Sequence, residues 1–208
     1  MYQILIIDDH SIVRAGIKLL AKDRINAEID ESGNGDDILK KIEQKKYDLV
    51  LLDINIPDTD PGKLLKAILD IQPETKVLIF SMMDEYLFAK PYLKLGAKGF
   101  LSKRSSNDEV VNAIQTLLKG NMYISSQLAA SLAENVTGNK SSNPFDILSQ
   151  RELEVVIYLL KGMSISGISE MMYLHPSTVG TYKIRIFEKL NIKSLIDLSE
   201  LARIYKVI

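Results

Sequence analysis

Three aspartates stand directly after two short apolar runs of the sequence. Asp8 and Asp9 follow Ile4–Ile7, and Asp53 follows Leu49–Leu52. If both runs are strands of one parallel sheet, their carboxyl ends meet at the same edge and the three carboxylates converge. Like charges at such short range repel one another unless a cation is present, and a hard, oxygen-preferring ion such as Mg²⁺ resolves that conflict. The three aspartates therefore predict a magnesium site.

Two further polar residues follow apolar runs later in the chain. Ser81 comes after Val77–Phe80 and Lys103 after Gly99–Leu101, which places a hydroxyl and an ammonium group at the same predicted edge. Carboxylates, a divalent metal, a hydroxyl and an ammonium group together suit a phosphoryl group. The sequence thus predicts phosphate chemistry at this edge of the sheet.

The first 120 residues alternate short apolar runs with amphipathic segments, which is typical of βαβ units. Ile4–Ile7 and Leu49–Leu52 contain no polar alternation, as expected for central parallel strands covered on both faces. We therefore predict an α/β domain with a doubly wound, five-stranded parallel sheet. The predicted strands are Ile4–Ile7, Ala27–Glu31, Leu49–Leu52, Val77–Phe80 and Gly99–Leu101, and the predicted helices are Ser11–Lys22, Asp36–Gln44, Gly62–Ile71, Leu87–Leu95 and Asp108–Lys119.

The pattern loosens over residues 121–146, which we predict to be a linker between two domains. Thr137–Pro144 contains no apolar residue, whereas Ser125–Val136 is compatible with a short helix. The chain is thereby divided into domains of residues 1–120 and 147–208.

Residues 147–208 have a wholly helical pattern, which predicts a small all-α domain. Two of its segments, Ile165–Met172 and Ser177–Leu190, are separated by the tight turn Tyr173–Pro176, an arrangement typical of a helix-turn-helix. The remaining predicted helices are Gln150–Lys161 and Leu195–Tyr205.

Composition narrows the possible classes of protein. The 208 residues are 46% hydrophobic and 25% charged, contain no cysteine and only two histidines, and include no apolar run long enough to cross a bilayer. Disulfides, thiolate metal sites and membrane insertion are therefore not expected, and we predict a cytoplasmic protein. Residues 1–124 have a net charge of −2 and residues 148–208 of +2, so nucleic-acid binding must be argued from where the cations sit.

The strand-end residues of the first domain resemble those of the receiver domain of bacterial response regulators. The resemblance covers residues 1–120 and implies that Asp53 accepts a phosphoryl group from a sensor histidine kinase. It also implies that Asp9, Asp53 and the Asn55 carbonyl bind Mg²⁺, with Asp8 acting through water. Slow self-dephosphorylation, and no other enzymatic activity, is expected of such a domain.

The same resemblance implies a switch. Ser81 would donate to the acyl phosphate, Lys103 would pair with it, and the movement of the loop after the fourth strand would free space for Phe100 to rotate. Ser81, Phe100 and Arg104 replace the residues most common in receivers, threonine, tyrosine and proline, without loss of a required chemical group. Pro91 is expected to kink the fourth helix or to delay its start.

The second domain resembles the LuxR-type helix-turn-helix of the NarL/FixJ family of response regulators. The resemblance rests on Leu148–Val155, Ser177–Val179 and Lys189-Leu190, and a looser one links Thr178–Lys183 to the subgroup of BvgA and EvgA. It implies that Ser177–Leu190 enters the major groove of promoter DNA. The implied base-reading residues are Thr181 and Ile184, and the implied phosphate-contacting or neighbouring residues are Ser177, Thr178, Lys183, Arg185, Lys189 and Lys193.

The family also implies partners and leaves alternatives. A sensor histidine kinase, promoter DNA, a second copy of the chain through Leu195–Tyr205, and RNA polymerase are the expected partners, and no membrane is expected. One alternative is a DNA-binding regulator whose pseudo-receiver works without phosphate; another makes the helical domain a protein-interaction module. A Mg²⁺-dependent phosphohydrolase is a third, although Asp53-Ile-Asn-Ile-Pro lacks the second carboxylate that such an enzyme places two residues on.

Overall fold

The computed structural model divides the chain into two compact units, Met1–Ala133 and Glu134–Ile208. It describes residues 1–22, 24–33, 37–57, 59–83, 85–125, 128–129, 143–205 and 207, with the side chains of Tyr86 and Leu87 left aside. Within these ranges no helix is both long and apolar enough to cross a membrane.

The first unit is built on a five-stranded sheet in which every neighbouring pair of strands is parallel. The strand order is β2-β1-β3-β4-β5, so β2 is added on one side of β1 and the later strands on the other. This switch point leaves a crevice at the carboxyl ends of β1 and β3. The strands are β1 Tyr2–Ile7, β2 Ala27–Ser32, β3 Leu49–Leu52, β4 Lys76–Ser81 and β5 Gly99–Ser102.

Helices cover both faces of this sheet. Alternate residues of the central strands, such as Ile4, Ile6 and Leu51, pack with the buried sides of α1 and α5 in one apolar cluster. Leu5 and Leu52, which point the other way along the same strands, are fully buried as well. The absence of polar alternation in these runs is thereby explained. The helices are α1 Ser11–Lys22, α2 Ile38–Gln44, α3 Pro61–Ile71, α4 Glu85–Lys94 and α5 Asn107–Leu118.

The predicted fold class is confirmed, and the ends of the strands and helices differ from the predicted ones by at most two residues. Asp36, the predicted first residue of α2, lies outside the described residues. Pro91 does not delay α4, which begins at Glu85, two residues before the predicted Leu87, and contains the proline in its interior.

The chain after α5 returns to the sheet instead of leaving it. Tyr123 forms a parallel bridge with Gly99, its amide donates to the Lys98 carbonyl at 2.9 Å, and its ring joins the core cluster. The amide of Ser125 then lies 3.3 Å from a carboxylate oxygen of Glu85. The packing of the first unit therefore continues past residue 120, into the segment predicted as a linker. Residues 130–142 of that segment, including most of Ser125–Val136, lie outside the described residues.

Every regular element among the described residues of the second unit is a helix, as predicted. A short 3-10 helix, Pro144–Ile147, buries Phe145 before the first α-helix begins. The α-helices are α6 Gln150–Leu160, α7 Ile165–Met171, α8 Pro176–Leu190 and α9 Leu195–Ile204. His175 is the N-cap of α8 and Pro176 its first residue, where a missing amide hydrogen costs nothing.

The close approach of Tyr123 to β5 makes Gly99 intolerant of a side chain. A Cβ at Gly99 would lie 2.8 Å from the Tyr123 backbone oxygen and 2.9 Å from a methyl group of Leu78. We expect Gly99→Ala to lower the free energy of unfolding of the first unit by about 1–3 kcal/mol, as overpacking does. Chemical denaturation followed by circular dichroism measures this.

Gly16→Ala is the matched control, because Gly16 is exposed in α1 and a Cβ there meets nothing within 4 Å. This control should raise stability by about 0.5–1 kcal/mol, the usual gain of alanine over glycine in a helix. Equal stability of Gly99→Ala and the wild type would contradict the packing described for Tyr123.

Candidate functional site

Backbone hydrogen bonds of the sheet fix the residues at its carboxyl edge. The Asp53 amide donates to the Ile7 carbonyl at 2.8 Å, and the Lys103 amide donates to the Ser81 carbonyl at 2.8 Å. The Asp8 amide likewise donates to the Ser32 carbonyl at 3.1 Å. The backbone of Asp8, Asp53 and Lys103 is therefore held by the same ladders that hold the strands, and rigid strands place the reactive side chains.

The side chain of Lys103 joins two of the aspartates. Its ammonium nitrogen lies 2.7 Å from Asp53 Oδ2 and 2.7 Å from Asp8 Oδ2. All three side chains are buried, with exposed fractions of 7% for Lys103, 1% for Asp53 and 2% for Asp8. One ammonium group is thus shared by two buried carboxylates, which leaves the pocket with excess negative charge.

Burial and the shared cation determine the pKa values of Asp53 and Lys103. Burial raises the pKa of Asp53, the neighbouring Lys103 opposes that rise, Asp8 adds to it, and the net shift is upward. Burial lowers the pKa of Lys103, but Asp53 and Asp8 outweigh it and the net shift is again upward. Lys103 accordingly stays charged, whereas ionised Asp53 is only partly compensated.

Asp9 and His10 complete an acidic cluster with these residues. One ligand atom from each of Asp8, Asp9, His10 and Asp53 lies within 4.8 Å of the others, and His10 Nδ1 is 2.6 Å from Asp9 Oδ1. Three carboxylates against one ammonium leave a net charge of −2. Such an oxygen-rich donor set with two uncompensated charges fits a hard divalent cation. The structure brings Asp8, Asp9, Asp53 and Lys103 together as predicted.

The other predicted residues of this site lie around the cluster. The Asn55 amide donates to Asp53 Oδ1 at 3.2 Å, which orients that carboxylate. The Ser81 hydroxyl is buried and accepts from the Met83 amide at 3.1 Å, so its hydrogen is left to donate. Phe100 is fully buried within β5, in register with Ile79.

Arg14 is a contributor that the sequence reasoning missed. Its guanidinium donates to the Asp8 carbonyl at 2.7 Å and to Glu31 Oε2 at 2.9 Å, and its side chain is 18% exposed. It therefore ties the loop that contains Asp8 and Asp9 to β2. An arginine in the first turns of the helix that follows the acidic pair was the available signal, but its partner on β2 is not adjacent in sequence. The contact of His10 with Asp9 was likewise missed.

The second unit presents α8 with two different faces. Val179, Ile186 and Leu190 are buried, because this face packs on α6 and α7. Phe187, at helical spacing from Val179 and Leu190, is partly buried. The predicted DNA-contacting residues lie on the remaining surface of the helix and just beyond it. Among them Ser177, Thr181, Ile184, Arg185, Lys189 and Lys193 are exposed, and Thr178 and Lys183 are partly so.

Lys189 has a partner that the sequence did not reveal. Its ammonium nitrogen lies 2.7 Å from Glu152 Oε2. Glu152 also accepts from the Ser149 amide at 2.6 Å, while its own amide donates to the Ser149 hydroxyl at 3.3 Å, which forms a capping box at the start of α6. Lys189 therefore links α8 to the capped end of α6. The Ser-x-x-Glu spacing was the signal for the cap, whereas nothing in the sequence indicates the ion pair.

Comparison with known families decides the identity of the chain. Residues 4–115 match the response regulator receiver domain, and residues 146–202 match the luxR family of bacterial regulatory proteins. The chain belongs to the LuxR-type response regulators. As a response regulator it combines a receiver with a DNA-binding domain of transcription regulators, in the order that the sequence predicted.

Full-length relatives support this membership. The response regulator GacA of Pseudomonas aeruginosa is 34% identical over 204 residues, which cover 97% of this chain and 95% of GacA. UvrY of Escherichia coli is 33% identical over 204 residues, covering 97% of this chain and 94% of UvrY. Both domains of the response regulator are therefore matched within one relative.

Solved structures show the same fold. RcsB of Salmonella enterica serovar Typhimurium, bound to the rprA promoter in the presence of the phosphomimetic BeF₃⁻, has a TM-score of 0.65 at 19% identity and covers 100% of both chains. ChrA, a response regulator of a heme-sensing two-component system, has a TM-score of 0.52 at 25% identity and covers 100% of this chain and 98% of its own.

The sharing of Lys103 predicts opposite effects of two substitutions. The pKa of Asp53 is raised in the folded protein, so the proton is bound more tightly there, and ionised Asp53 opposes folding once the pH exceeds that raised pKa. Asp53→Asn removes this charge and leaves Lys103 paired with Asp8. We expect it to stabilise the receiver by about 1 kcal/mol at neutral pH, with a gain that shrinks as the pH falls through the pKa of Asp53.

Lys103→Met should instead destabilise the receiver by about 3 kcal/mol at neutral pH, since it leaves two buried carboxylates without a cation. Denaturation of both variants in a buffer with chelator, at neutral and acidic pH, measures these effects. If Asp53→Asn is less stable than the wild type at neutral pH, the cost of burying the Asp53 carboxylate does not exceed the benefit of its pair with Lys103.

Proposed function

We propose that this response regulator is switched by phosphorylation of Asp53 and that the phosphorylated form dimerises and binds promoter DNA. The observation that carries the proposal is the buried Asp53 carboxylate beside the Lys103 ammonium, 2.7 Å away, in a pocket of excess negative charge. A sensor histidine kinase supplies the phosphoryl group in the cytoplasm, where promoter DNA is also found. The domains involved are a receiver of residues 1–120 whose packing continues to Ser125, a linker in the remainder of 121–146, and a DNA-binding domain of 147–208.

Phosphoryl transfer to Asp53 requires a nucleophile and compensation of charge. A carboxylate oxygen of Asp53 attacks phosphorus, the bond from phosphorus to the donor nitrogen breaks, and that nitrogen regains a proton. The phosphoryl group adds negative charge beside Asp8, and Lys103 is already in place to pair with it. The buried Ser81 hydroxyl retains a hydrogen for donation to a phosphoryl oxygen. No large movement of the lysine is needed before the reaction.

Mg²⁺ is the cofactor that the acidic cluster fits best. Asp9, Asp53 and the Asn55 carbonyl would hold it, with Asp8 acting through water, and the ion would neutralise charge on the transferring group. Arg14 fixes the loop that carries Asp8 and Asp9. Slow hydrolysis of the phosphorylated aspartate would return the protein to its resting form.

The DNA-binding part of the proposal rests on α8. Lys183 and Arg185 stand on the surface of the helix, and the described residues include no carboxylate in an ion pair with either. Exposed cations without acidic partners remain available for DNA phosphates. Dimerisation through α9 would present two copies of α8 to neighbouring turns of DNA, and RNA polymerase is the expected partner at the promoter.

One observation keeps a second candidate function in view. Lys103 already neutralises part of the charge of Asp53. A pseudo-receiver that never accepts phosphate would also need such a cation beside its buried aspartate. A phosphohydrolase is disfavoured because Asn55, not a carboxylate, stands two residues after Asp53. Labelling separates these candidates.

Intact-mass measurement after incubation with acetyl phosphate and Mg²⁺ tests the proposal. We expect the wild type to gain one phosphoryl group, Asp53→Asn to gain none, and chelation of the metal to abolish the gain. Asp30→Asn, which changes a carboxylate outside the cluster, serves as the control and should be labelled normally. A wild type without label would make the domain a pseudo-receiver, and steady release of phosphate from small phosphoesters would make it a phosphohydrolase.

The two kinds of cation on α8 should behave differently in DNA binding. Lys183→Ala and Arg185→Ala should each weaken binding to all duplexes alike and reduce the slope of log affinity against log salt by about 1. Lys189→Ala should leave that slope nearly unchanged and instead lower stability by up to about 1 kcal/mol, because it breaks the pair with Glu152. Affinity measured over a salt series distinguishes these outcomes, and a reduced slope for Lys189→Ala would show that its pair opens on DNA.

A further inference from the structure

The outward face of α8 has an apolar centre. Ile184 is 62% exposed, although the aliphatic residues on the opposite face, Val179 and Ile186, are fully buried. Single exposed aliphatic residues are common on protein surfaces, so the neighbours of Ile184 decide what its exposure means. Those neighbours, at helical spacing along the same face, are Ser177, Thr181 and Glu188.

Both hydroxyl groups of this face already have partners within the chain. The Thr181 hydroxyl donates to the Ser177 carbonyl at 2.9 Å, and the Ser177 hydroxyl lies 2.8 Å from His175 Nδ1. The Thr181 group without a hydrogen-bonding role is therefore its methyl group. Gly180, which adjoins Thr181, adds no side chain, and a Cβ there would meet nothing within 4 Å. The centre of the face thus offers two aliphatic groups and open space for a close approach.

The flanks of this apolar centre are cationic. Lys183 and Arg185 border Ile184 in sequence, and the Lys183 ammonium lies 5.5 Å from the centre of the Phe187 ring. An apolar centre between cations suits a polyanion that carries apolar groups in a groove. In the major groove of DNA that apolar group is the C5-methyl of thymine.

We propose that Ile184, together with the methyl group of Thr181, reads thymine through its C5-methyl, so that each half-site contains a thymine recognised by apolar contact. The inference rests on the proposed binding of promoter DNA by α8 and adds the base that it selects. Ile184 and Thr181 cannot form the bidentate hydrogen bonds with which arginine, asparagine or glutamine recognise guanine or adenine.

The test uses a duplex selected from a random library by the full-length protein treated with acetyl phosphate and Mg²⁺. Each thymine of the selected half-site is replaced in turn by deoxyuridine, which removes only the methyl group, and affinity is measured at fixed salt. We expect one position at which the wild type loses roughly fourfold in affinity, the value of one buried methyl-sized group. Thymines outside the half-sites serve as the DNA control.

Variants of Ile184 assign the effect to this side chain. Ile184→Ala should bind the thymine and deoxyuridine duplexes equally, whereas Ile184→Val, which keeps a branched aliphatic group, should retain most of the discrimination. Because Ile184 is exposed, thermal unfolding of both variants should match that of the wild type.

Three results would overturn the proposal. The first is a selected duplex whose affinity does not change with any deoxyuridine, and the second is a thymine preference that persists in Ile184→Ala. The third is loss of binding to a protein partner by Ile184→Ala without any change on DNA. If no duplex is bound above the level of random DNA, the proposed promoter binding itself fails, which is a distinct outcome.

Discussion

One buried cation shared by two buried carboxylates is the interaction on which the receiver's chemistry depends. Lys103 lies 2.7 Å from both Asp8 and Asp53, so neither aspartate has a positive charge to itself. Burial of an incompletely compensated carboxylate is unfavourable. The pocket consequently attracts further positive charge, and under the proposed function its lysine is already positioned for an arriving phosphoryl group. The same uncompensated negative charge destabilises the pocket and attracts the cation that the proposed reaction needs.

The parallel sheet makes this arrangement possible. Asp8, Asp53 and Lys103 directly follow β1, β3 and β5, three strands that are far apart in sequence, and each is fixed by a backbone hydrogen bond that continues a ladder. Burial of both faces of the sheet makes these strands rigid.

In the second unit α8 has an inward aliphatic face, which packs in the core, and an outward face. Lys189 connects its end to the capping box of α6.

Much of this structure could be predicted from the sequence because the relevant signals are local. Apolar runs such as Leu49–Leu52 specify buried strands, and the residue after each run then falls at the carboxyl edge, which is why Asp53 and Lys103 were placed correctly. The helix-turn-helix was recognisable from its turn and aliphatic spacing. The family comparisons confirm the fold class and the family.

The features that sequence reasoning missed depend on contacts between distant residues. Tyr123 packs on Gly99 in a stretch predicted as linker, and no local pattern marks that contact. The bond from Arg14 to the Asp8 carbonyl and the pair of Lys189 with Glu152 likewise join separate elements. Pro91 was expected to kink α4 or to delay its start, but the helix begins at Glu85, six residues before the proline, which is accommodated in the helix interior. Tertiary packing decides such cases over local propensity.

The most direct test of the central claim is the affinity of the full-length protein for a selected promoter duplex, measured with and without acetyl phosphate in the presence of Mg²⁺. Wild type and Asp53→Asn are compared, with sedimentation of the same samples. The account predicts that acetyl phosphate tightens DNA binding and promotes dimers only in the wild type. Equal affinity of all four samples would contradict control of DNA binding by the phosphorylation of Asp53.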